Sequence, residues 1–307
     1  MIKTKIDIIS GFLGAGKTTF IKKLVQDLYP LDKVVILENE FGRINIDEET
    51  LGREGLAVKP IQAGCICCSS SMDLSKGINE IMEEYAPERI IVEPTGIAKL
   101  SEIKKILFSE EINDMCEIGH IITIVDAKNY YLRTMISKVF FEDQIKASRV
   151  IFLSKTNEMK DSKISEVKEE INRIQPGCLV IHEQWNKILP GLLAEYINYA
   201  GHYTDIRQRI RIRPKYQNDF DRYEIIKEEP FDIEVMEGFI QDVILGSYGE
   251  LHRIKGICYD SKRGPYSIDY LPGETIIKPI KGDFTGDGQS KVCLIGRNLN
   301  KEKLDTI

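Results

Sequence analysis

The octapeptide Gly11-Phe12-Leu13-Gly14-Ala15-Gly16-Lys17-Thr18 constrains this chain more than any other feature. It matches G-x-x-x-x-G-K-[ST] and joins two runs of different period. Before it, Lys5–Ser10 reads as a short apolar strand. After it, Thr18–Leu28 carries Phe20, Ile21, Leu24, Val25 and Leu28 at helical spacing. Glycines let the backbone curl so that successive N–H groups point inward at a phosphate. The loop also opens a helix, whose N-terminus carries roughly half a positive charge. In this pattern the lysine reaches the β- and γ-phosphates of a nucleotide and the Thr18 hydroxyl binds Mg2+. Gly11, Gly14, Ala15, Gly16, Lys17, Thr18 and Thr19 are the predicted nucleotide contacts. A glycine-rich turn without function is the alternative, but the flanking strand and helix are the context that phosphate binding requires.

The rest of the chain fits a sheet built around that junction. Val34–Leu37, Arg89–Val92, Ile121–Val125 and Val150–Leu153 are near-continuous apolar strands, with Ala57–Gln62 a further short one. Between them, Ser71–Tyr85 and Ser162–Ile174 read as helices, the first with Ile78, Ile81, Met82 and Tyr85 on one face. Apolar strands alternating with helices indicate a parallel sheet covered on both sides. After about residue 204 the pattern changes. Arg207, Arg209, Arg211 and Arg213 alternate with Ile210 and Ile212, and strand-like runs follow at Ile225–Val235, His252–Tyr259, Tyr266–Leu271 and Val292–Ile295. One helical run, Met236–Leu245, interrupts them. The expectation is an α/β protein: a P-loop NTPase domain with a mostly parallel sheet over residues 1–204, then a smaller α+β domain over 205–307.

Composition narrows the partners. A chain of 307 residues with 42% hydrophobic side chains suits roughly two globular domains. A net charge of -6 gives no support to nucleic acid or an anionic membrane. No stretch approaches the ~20 apolar residues of a membrane span. The apolar N-terminus runs straight into the glycine loop and does not read as a signal peptide, so the expected location is cytoplasmic. The Arg207–Lys215 run reads as a solvated strand face. His120, His182, His202 and His252 are isolated in sequence and read as ordinary surface or core residues.

Two further elements belong to a nucleotide site. Glu93 ends the strand Arg89–Val92 and begins Glu93-Pro94-Thr95-Gly96. A carboxylate there suits the second Mg2+ ligand, and the glycine allows approach to a γ-phosphate. Lys17, Thr18 and Glu93 are thus the predicted catalytic set, with Mg2+ between Thr18 and Glu93. Ser154-Lys155-Thr156-Asn157 follows Val150–Leu153 and has the place of the N-K-x-D base-reading element of GTPases. An aspartate in that element accepts two hydrogen bonds from guanine, whereas Asn157 has one acceptor oxygen and turns its NH2 toward a donor. A mispaired buried donor costs about 1–3 kcal/mol. GTP stays the expected nucleotide, with ATP as the rival: either the loop shifts, or neighbouring Glu158 substitutes as acceptor, or another base is used.

Seven cysteines, an odd number, argue against a disulfide framework. Cys116, Cys178, Cys258 and Cys293 lie among apolar neighbours and read as buried small hydrophobes. Cys65, Cys67 and Cys68 are packed into Gly64-Cys65-Ile66-Cys67-Cys68. Thiolates are soft ligands suited to Zn2+, and also to Co2+, Ni2+ or Cu+. Three sulfurs leave a tetrahedral ion one ligand short, which Glu40, water or an exchanging partner completes; a redox thiol cluster and chance clustering in a buried turn are the competing readings.

In order along the chain stand the phosphate loop, Glu-Asn-Glu-Phe-Gly at 38–42 with Asp47 nearby, the cysteine cluster, Glu-x-Thr-Gly at 93–96, Val-Asp-Ala at 125–127 and Ser-Lys-Thr-Asn at 154–157. That order resembles the CobW-like P-loop GTPases, which are similar to the nickel-insertion GTPases of urease and hydrogenase maturation. Arg253-Ile254-Lys255-Gly256 and Val292-Cys293-Leu294-Ile295-Gly296 resemble the family's C-terminal domain. The resemblance implies slow GTP hydrolysis coupled to metal delivery to a client metalloenzyme. It also implies a Zn2+ or related ion at Cys65, Cys67 and Cys68, with Glu40 a further ligand on a segment that senses the γ-phosphate. Similar GTPases pair through their nucleotide faces, so a homodimer is within the expectation. Asn157 in place of aspartate and the absence of a His-rich stretch are the departures from the family pattern. A nucleotide-driven switch acting on a partner enzyme without metal transfer is the rival reading.

Overall fold

In the computed structural model, residues 3–29, 33–38, 57–60, 71–199, 221–227, 230, 232–280 and 288–306 are described, and they fall into two units. The predicted boundary between 204 and 205 and the Arg207–Lys215 run lie outside the described residues.

The first unit is built on a seven-stranded sheet. Its strands are β1 (Thr4–Gly11), β2 (Val34–Glu38), β3 (Ala57–Pro60), β4 (Arg89–Glu93), β5 (Cys116–Asp126), β6 (Val150–Ser154) and β7 (Leu179–Ile181). They lie in the order β3-β2-β4-β1-β5-β6-β7, and every neighbouring pair is parallel. The connecting helices are α1 (Lys17–Leu28), α2 (Ser71–Tyr85), α3 (Leu100–Leu107), α4 (Glu110–Met115), α5 (Tyr130–Lys146), α6 (Asp161–Ile174) and α7 (Pro190–Asn198).

Strand alternation feeds two cores. Ile9, Ile36, Ile91, Ile124 and Phe152 pack with Phe20, Ile21, Leu24 and Val25 of α1 and Leu193 and Ile197 of α7. Ile6, Ile8, Val35, Leu37, Ile90 and Val92 point the other way, onto Leu74, Ile78 and Ile81 of α2 and Leu100, Ile103 and Leu107 of α3. Each such side chain contributes ~1.5–3 kcal/mol of burial. Thus α1 leaves β1 over one face while α3 leaves β4 over the other. Between adjacent strands whose connections diverge in this way, the carboxyl ends open a crevice, the usual ligand position in such sheets.

The opposite end of the strands is tied by a buried ionic cluster. The Asp7 carboxylate accepts from Arg89 Nη1 at 2.6 Å, the Tyr29 hydroxyl at 2.9 Å and the His120 backbone N–H at 2.8 Å, and lies 3.0 Å from His120 Nδ1. His120 Nε2 is 3.1 Å from Asn198 Oδ1. Burial alone would raise the Asp7 carboxyl, but the bonds and charge of His120, then the charge of Arg89, outweigh it and hold it below the usual range. Burial likewise acts to lower His120, and its bond and attraction to Asp7 carry it above the ordinary imidazole value. His120 is therefore not isolated, contrary to its place in the sequence.

The second unit comprises β8 (Asp221–Lys227), α8 (Ile233–Ile244), β9 (Glu250–Asp260), β10 (Gly264–Leu271), β11 (Glu274–Pro279), β12 (Ser290–Arg297) and α9 (Lys301–Leu304). Its five strands run β11-β10-β9-β12-β8, all antiparallel. Met236, Phe239, Ile240 and Val243 of α8 pack on Ile254, Cys258, Ile268, Val292 and Leu294. The glycine of Arg253-Ile254-Lys255-Gly256 is there because an added Cβ would stand 2.6 Å from Val292 Cα on the next strand.

Several expectations change. The predicted strand Ile225–Val235 ends at Lys227, and Ile233-Glu234-Val235 is the first turn of α8. The Asp232 carboxylate accepts the Glu234 N–H and so starts the helix three residues before the apolar spacing indicates. Tyr85, placed on the buried face of its helix, is 46% exposed in the last turn. Cys116, Cys258 and Cys293 are buried, but Cys178 is only half-buried, in the turn before β7. Burial pushes the thiols of Cys116 and Cys258 up to about 11, which makes them inert at neutral pH.

Candidate nucleotide site

The crevice at the carboxyl ends of β1 and β4 collects the predicted residues. Gly11 closes β1 where an added Cβ would lie 3.2 Å from the Ile124 carbonyl carbon. Gly16 adopts φ 100°, left-handed backbone that disfavours a side chain, and places Lys17 at the first position of α1. No side chain caps this helix and its first turn holds no acid, so its positive end is left to an external anion. The Trp185 ring stands behind Gly16, 3.4 Å from where a Cβ would be, and packs edge-on against Phe20 at 5.5 Å.

Three predicted catalytic residues meet directly. Thr18 Oγ1 donates to the Glu93 carboxylate, 3.1 Å from one oxygen and 3.3 Å from the other. Lys17 Nζ is buried and stands 4.0 Å from Glu93 Oε1. The turn after Glu93 closes through Ala98 N–H to the Thr95 carbonyl, 2.9 Å. An added Cβ on Gly96 would lie 2.7 Å from Leu13 Cα, so this turn rests directly on the phosphate loop's main chain. Thr19, by contrast, is exposed.

Glu38 ends β2 in register with Glu93 and is 2% exposed. In the sequence it stands out only as the first residue of Glu-Asn-Glu-Phe-Gly, although a carboxylate closing an apolar strand is the same signal that picks out Glu93. Pro60, at the end of β3, is in register with Glu38. Glu40, Asp47, Cys65, Cys67 and Cys68 lie outside the described residues. Among the described residues no group of three His, Cys, Asp or Glu side chains could hold a metal ion.

The segment predicted to read the base is pinned at its start and open at its end. Ser154 is buried, its hydroxyl 3.3 Å from the Val125 carbonyl oxygen. Lys155 takes φ 57° and pairs with Asp126 at 3.1 Å. Asp126 is 2% exposed and also accepts from the Asn129 N–H and side-chain amide, at 3.1 and 3.0 Å. Asp126 was legible only as part of Val-Asp-Ala; its role in fixing Lys155 spans 29 residues and has no local signal. Thr156 Oγ1 donates to the His182 carbonyl at 3.2 Å. Asn157 and Glu158 are exposed, and Glu158 pairs with Lys128 at 2.9 Å.

A strand–loop–helix with buried lysine and a hydroxyl–carboxylate pair at the switch point of a parallel sheet is a nucleoside-triphosphate site. Residues 5–182 match the family described as "CobW/HypB/UreG, nucleotide-binding domain", and residues 220–307 match "Cobalamin synthesis protein cobW C-terminal domain". The chain belongs to the CobW/HypB/UreG family of P-loop GTPases.

Among its relatives in this family, the zinc chaperone YjiA of Escherichia coli is 26% identical over 319 aligned residues, covering 97% of this chain and 96% of YjiA. The zinc chaperone YeiR of the same organism is 31% identical over 50% of this chain and 47% of its own length. The zinc-regulated GTPase metalloprotein activator 1 of Dictyostelium discoideum is 23% identical over 64% of this chain and 48% of its own. Among the described residues no helix is long and apolar enough to cross a membrane.

Proposed function

We propose that this chain hydrolyses GTP with Lys17, Thr18 and Glu93 and couples that cycle to the binding and delivery of a transition metal, zinc foremost, to a client metalloenzyme in the cytoplasm. The observation that carries the catalytic part is the Thr18–Glu93 pair beside Lys17, under a turn that rests on the phosphate loop. The residues fit Mg2+: a hydroxyl and a part-buried carboxylate are the hard oxygen donors it requires, and they converge on one spot. When bound there, the ion neutralises charge on the β- and γ-phosphate oxygens. Main-chain N–H groups of Gly14–Thr18 and the α1 dipole hold the phosphates, and Lys17 stabilises charge that develops as water attacks the γ-phosphorus.

The metal part rests on chain order and on the named relatives. Cys65, Cys67 and Cys68 follow Pro60 closely in the chain, and Pro60, Glu38 and Glu93 close three adjacent strands in register. The zinc chaperone relatives support Zn2+ as cargo; Co2+ or Ni2+ as alternatives and Glu40 as a further ligand belong to the proposal itself. In this reading the domain proposed over 205–307 recognises the client, and a homodimer through the nucleotide face is the assembly to look for.

Turnover of GTP by the purified chain and its loss in Lys17→Ala test the catalytic claim. Zn2+ affinity in Cys67→Ala/Cys68→Ala tests the metal site, and affinity equal to the parent's would remove it. One observation favours a second nucleotide: the exposed Asn157 amide does not reproduce a guanine-reading carboxylate. Competition between GTP and ATP for the same site decides between them.

A further inference from the structure

Helix α5 approaches the nucleotide site from the side that the known motifs do not describe. Two of its residues, three apart and so on one face, reach the site's two halves. Phe141 meets the ring of Phe12 in the phosphate loop edge-on, with centroids 6.4 Å apart. Gln144 is 1% exposed, and its side-chain amide donates to the Gly96 carbonyl at 3.0 Å and to the Ala98 carbonyl at 3.1 Å. Both N–H bonds of one NH2 group are thereby spent on the turn that follows Glu93. The Gln144 main chain is held in turn, because Thr123 Oγ1 donates to its carbonyl at 3.0 Å. Thr123 lies on β5 opposite Ser10 of β1, the residue just before the phosphate loop.

The geometry points to Gln144 as the positioning residue that holds the Glu93–Ala98 turn at the height the γ-phosphate requires. This rests on the GTPase reading of the site and extends it to a residue outside the nucleotide motifs. The chemistry is selective. The turn presents two carbonyl oxygens to the helix, and a neutral primary amide supplies two donors in a plane without adding charge. A carboxylate of the same shape would present acceptors to acceptors. An apolar side chain of the same length would leave both carbonyls buried without partners. In either case the turn drifts away from α5, and Gly96, which rests on Leu13, moves with it. The γ-phosphate end of the site is disturbed, while the part of the loop that grips the α- and β-phosphates keeps its own backbone support.

Gln144→Glu and Gln144→Met test this against the wild type and against Ile145→Val, a fully buried neighbour on α5 whose side chain has no donor to offer either carbonyl. Steady-state GTP turnover, GDP affinity and thermal unfolding are read on all four. A shift of the turn by about 1 Å predicts a kcat lower by roughly 10²-fold, with GDP affinity within about twofold of wild type. Ile145→Val is expected to unfold earlier yet keep its kcat. Folded Gln144 variants with wild-type kcat would overturn the assignment. So would equal loss of kcat and GDP affinity, or failure of both variants to fold, since each describes a structural residue. A wild type that turns over no GTP would overturn the GTPase reading itself, and the Gln144 assignment with it.

Discussion

Replacing Gly96 by alanine adds one methyl group at the tightest contact between the two halves of the nucleotide site. The new Cβ would lie 2.7 Å from Leu13 Cα and closer still to the Leu13 nitrogen. Ordinary contact between carbon atoms is ~3.5 Å or more, so the turn and the phosphate loop must separate by about 0.8 Å. Neither neighbour is a flexible side chain that can swing aside. Overpacking of this kind costs about 1–3 kcal/mol of stability, which a folded chain survives. Displacement near 1 Å at a reacting centre costs on the order of 10²-fold in rate. The expected outcome is a folded protein with a midpoint of thermal unfolding a few degrees lower and kcat for GTP down roughly two orders of magnitude. Gly191→Ala in α7, where an added Cβ meets nothing within 4 Å, is the matched control and is expected to turn over normally. Single-turnover hydrolysis with GTP bound in advance separates the chemical step from binding. A Gly96→Ala protein that is stable and turns over within twofold of wild type would refute the idea that this contact sets the site's geometry.

Two other perturbations address specificity and stability. Asn157→Asp restores an acceptor pair at the exposed end of the base-reading segment and is expected to raise GTP over ATP discrimination by about tenfold or more, since one well-placed hydrogen bond to a charged group is worth about 1.5–3 kcal/mol; unchanged competition constants would place base recognition elsewhere. His120 is raised and Asp7 lowered by their pairing, so the His120 contribution is complete below its unfolded value of ~6.5 and is lost as pH rises through the higher folded value, while that of Asp7 is present above ~3.9 and is lost as pH falls through its folded value. Urea unfolding should therefore show His120→Gln to be most destabilised relative to wild type near pH 5–6 and least at pH 9; a difference constant across that span would mean that His120 is uncharged in the fold.

Local chemistry made the phosphate loop and Glu93 legible. The loop's conformation depends on adjacent glycines, and Glu93 announces itself as an acid at the end of an apolar strand. The strands flanking them were legible for a related reason, since a sheet buried on both faces needs unbroken apolar runs. Helix α5 was not, because its apolar residues run around the whole cylinder: Tyr130, Tyr131, Leu132, Met135, Ile136, Val139, Phe140, Phe141 and Ile145. Non-helical backbone at Ser137 also breaks the phase of its pattern. The Gln144 bonds to Gly96 and Ala98 and the Asp7–His120 pair join residues far apart in sequence, and nothing near either partner signals the other. The α8 start shows the converse: Asp232 carried a local capping signal that lost to the β-branched run around it.

A sheet whose strands all run one way sends the loop that leaves each strand off along a single rim. In the first unit that rim carries Gly11, Glu38, Glu93, Asp126 and Ser154, while the ties that keep the strands together, Asp7 among them, sit toward the far side. Substitutions at exposed positions in the loops beyond that rim, Asn157 among them, can retune what is bound with little draw on folding stability. Substitutions at the far side do the reverse.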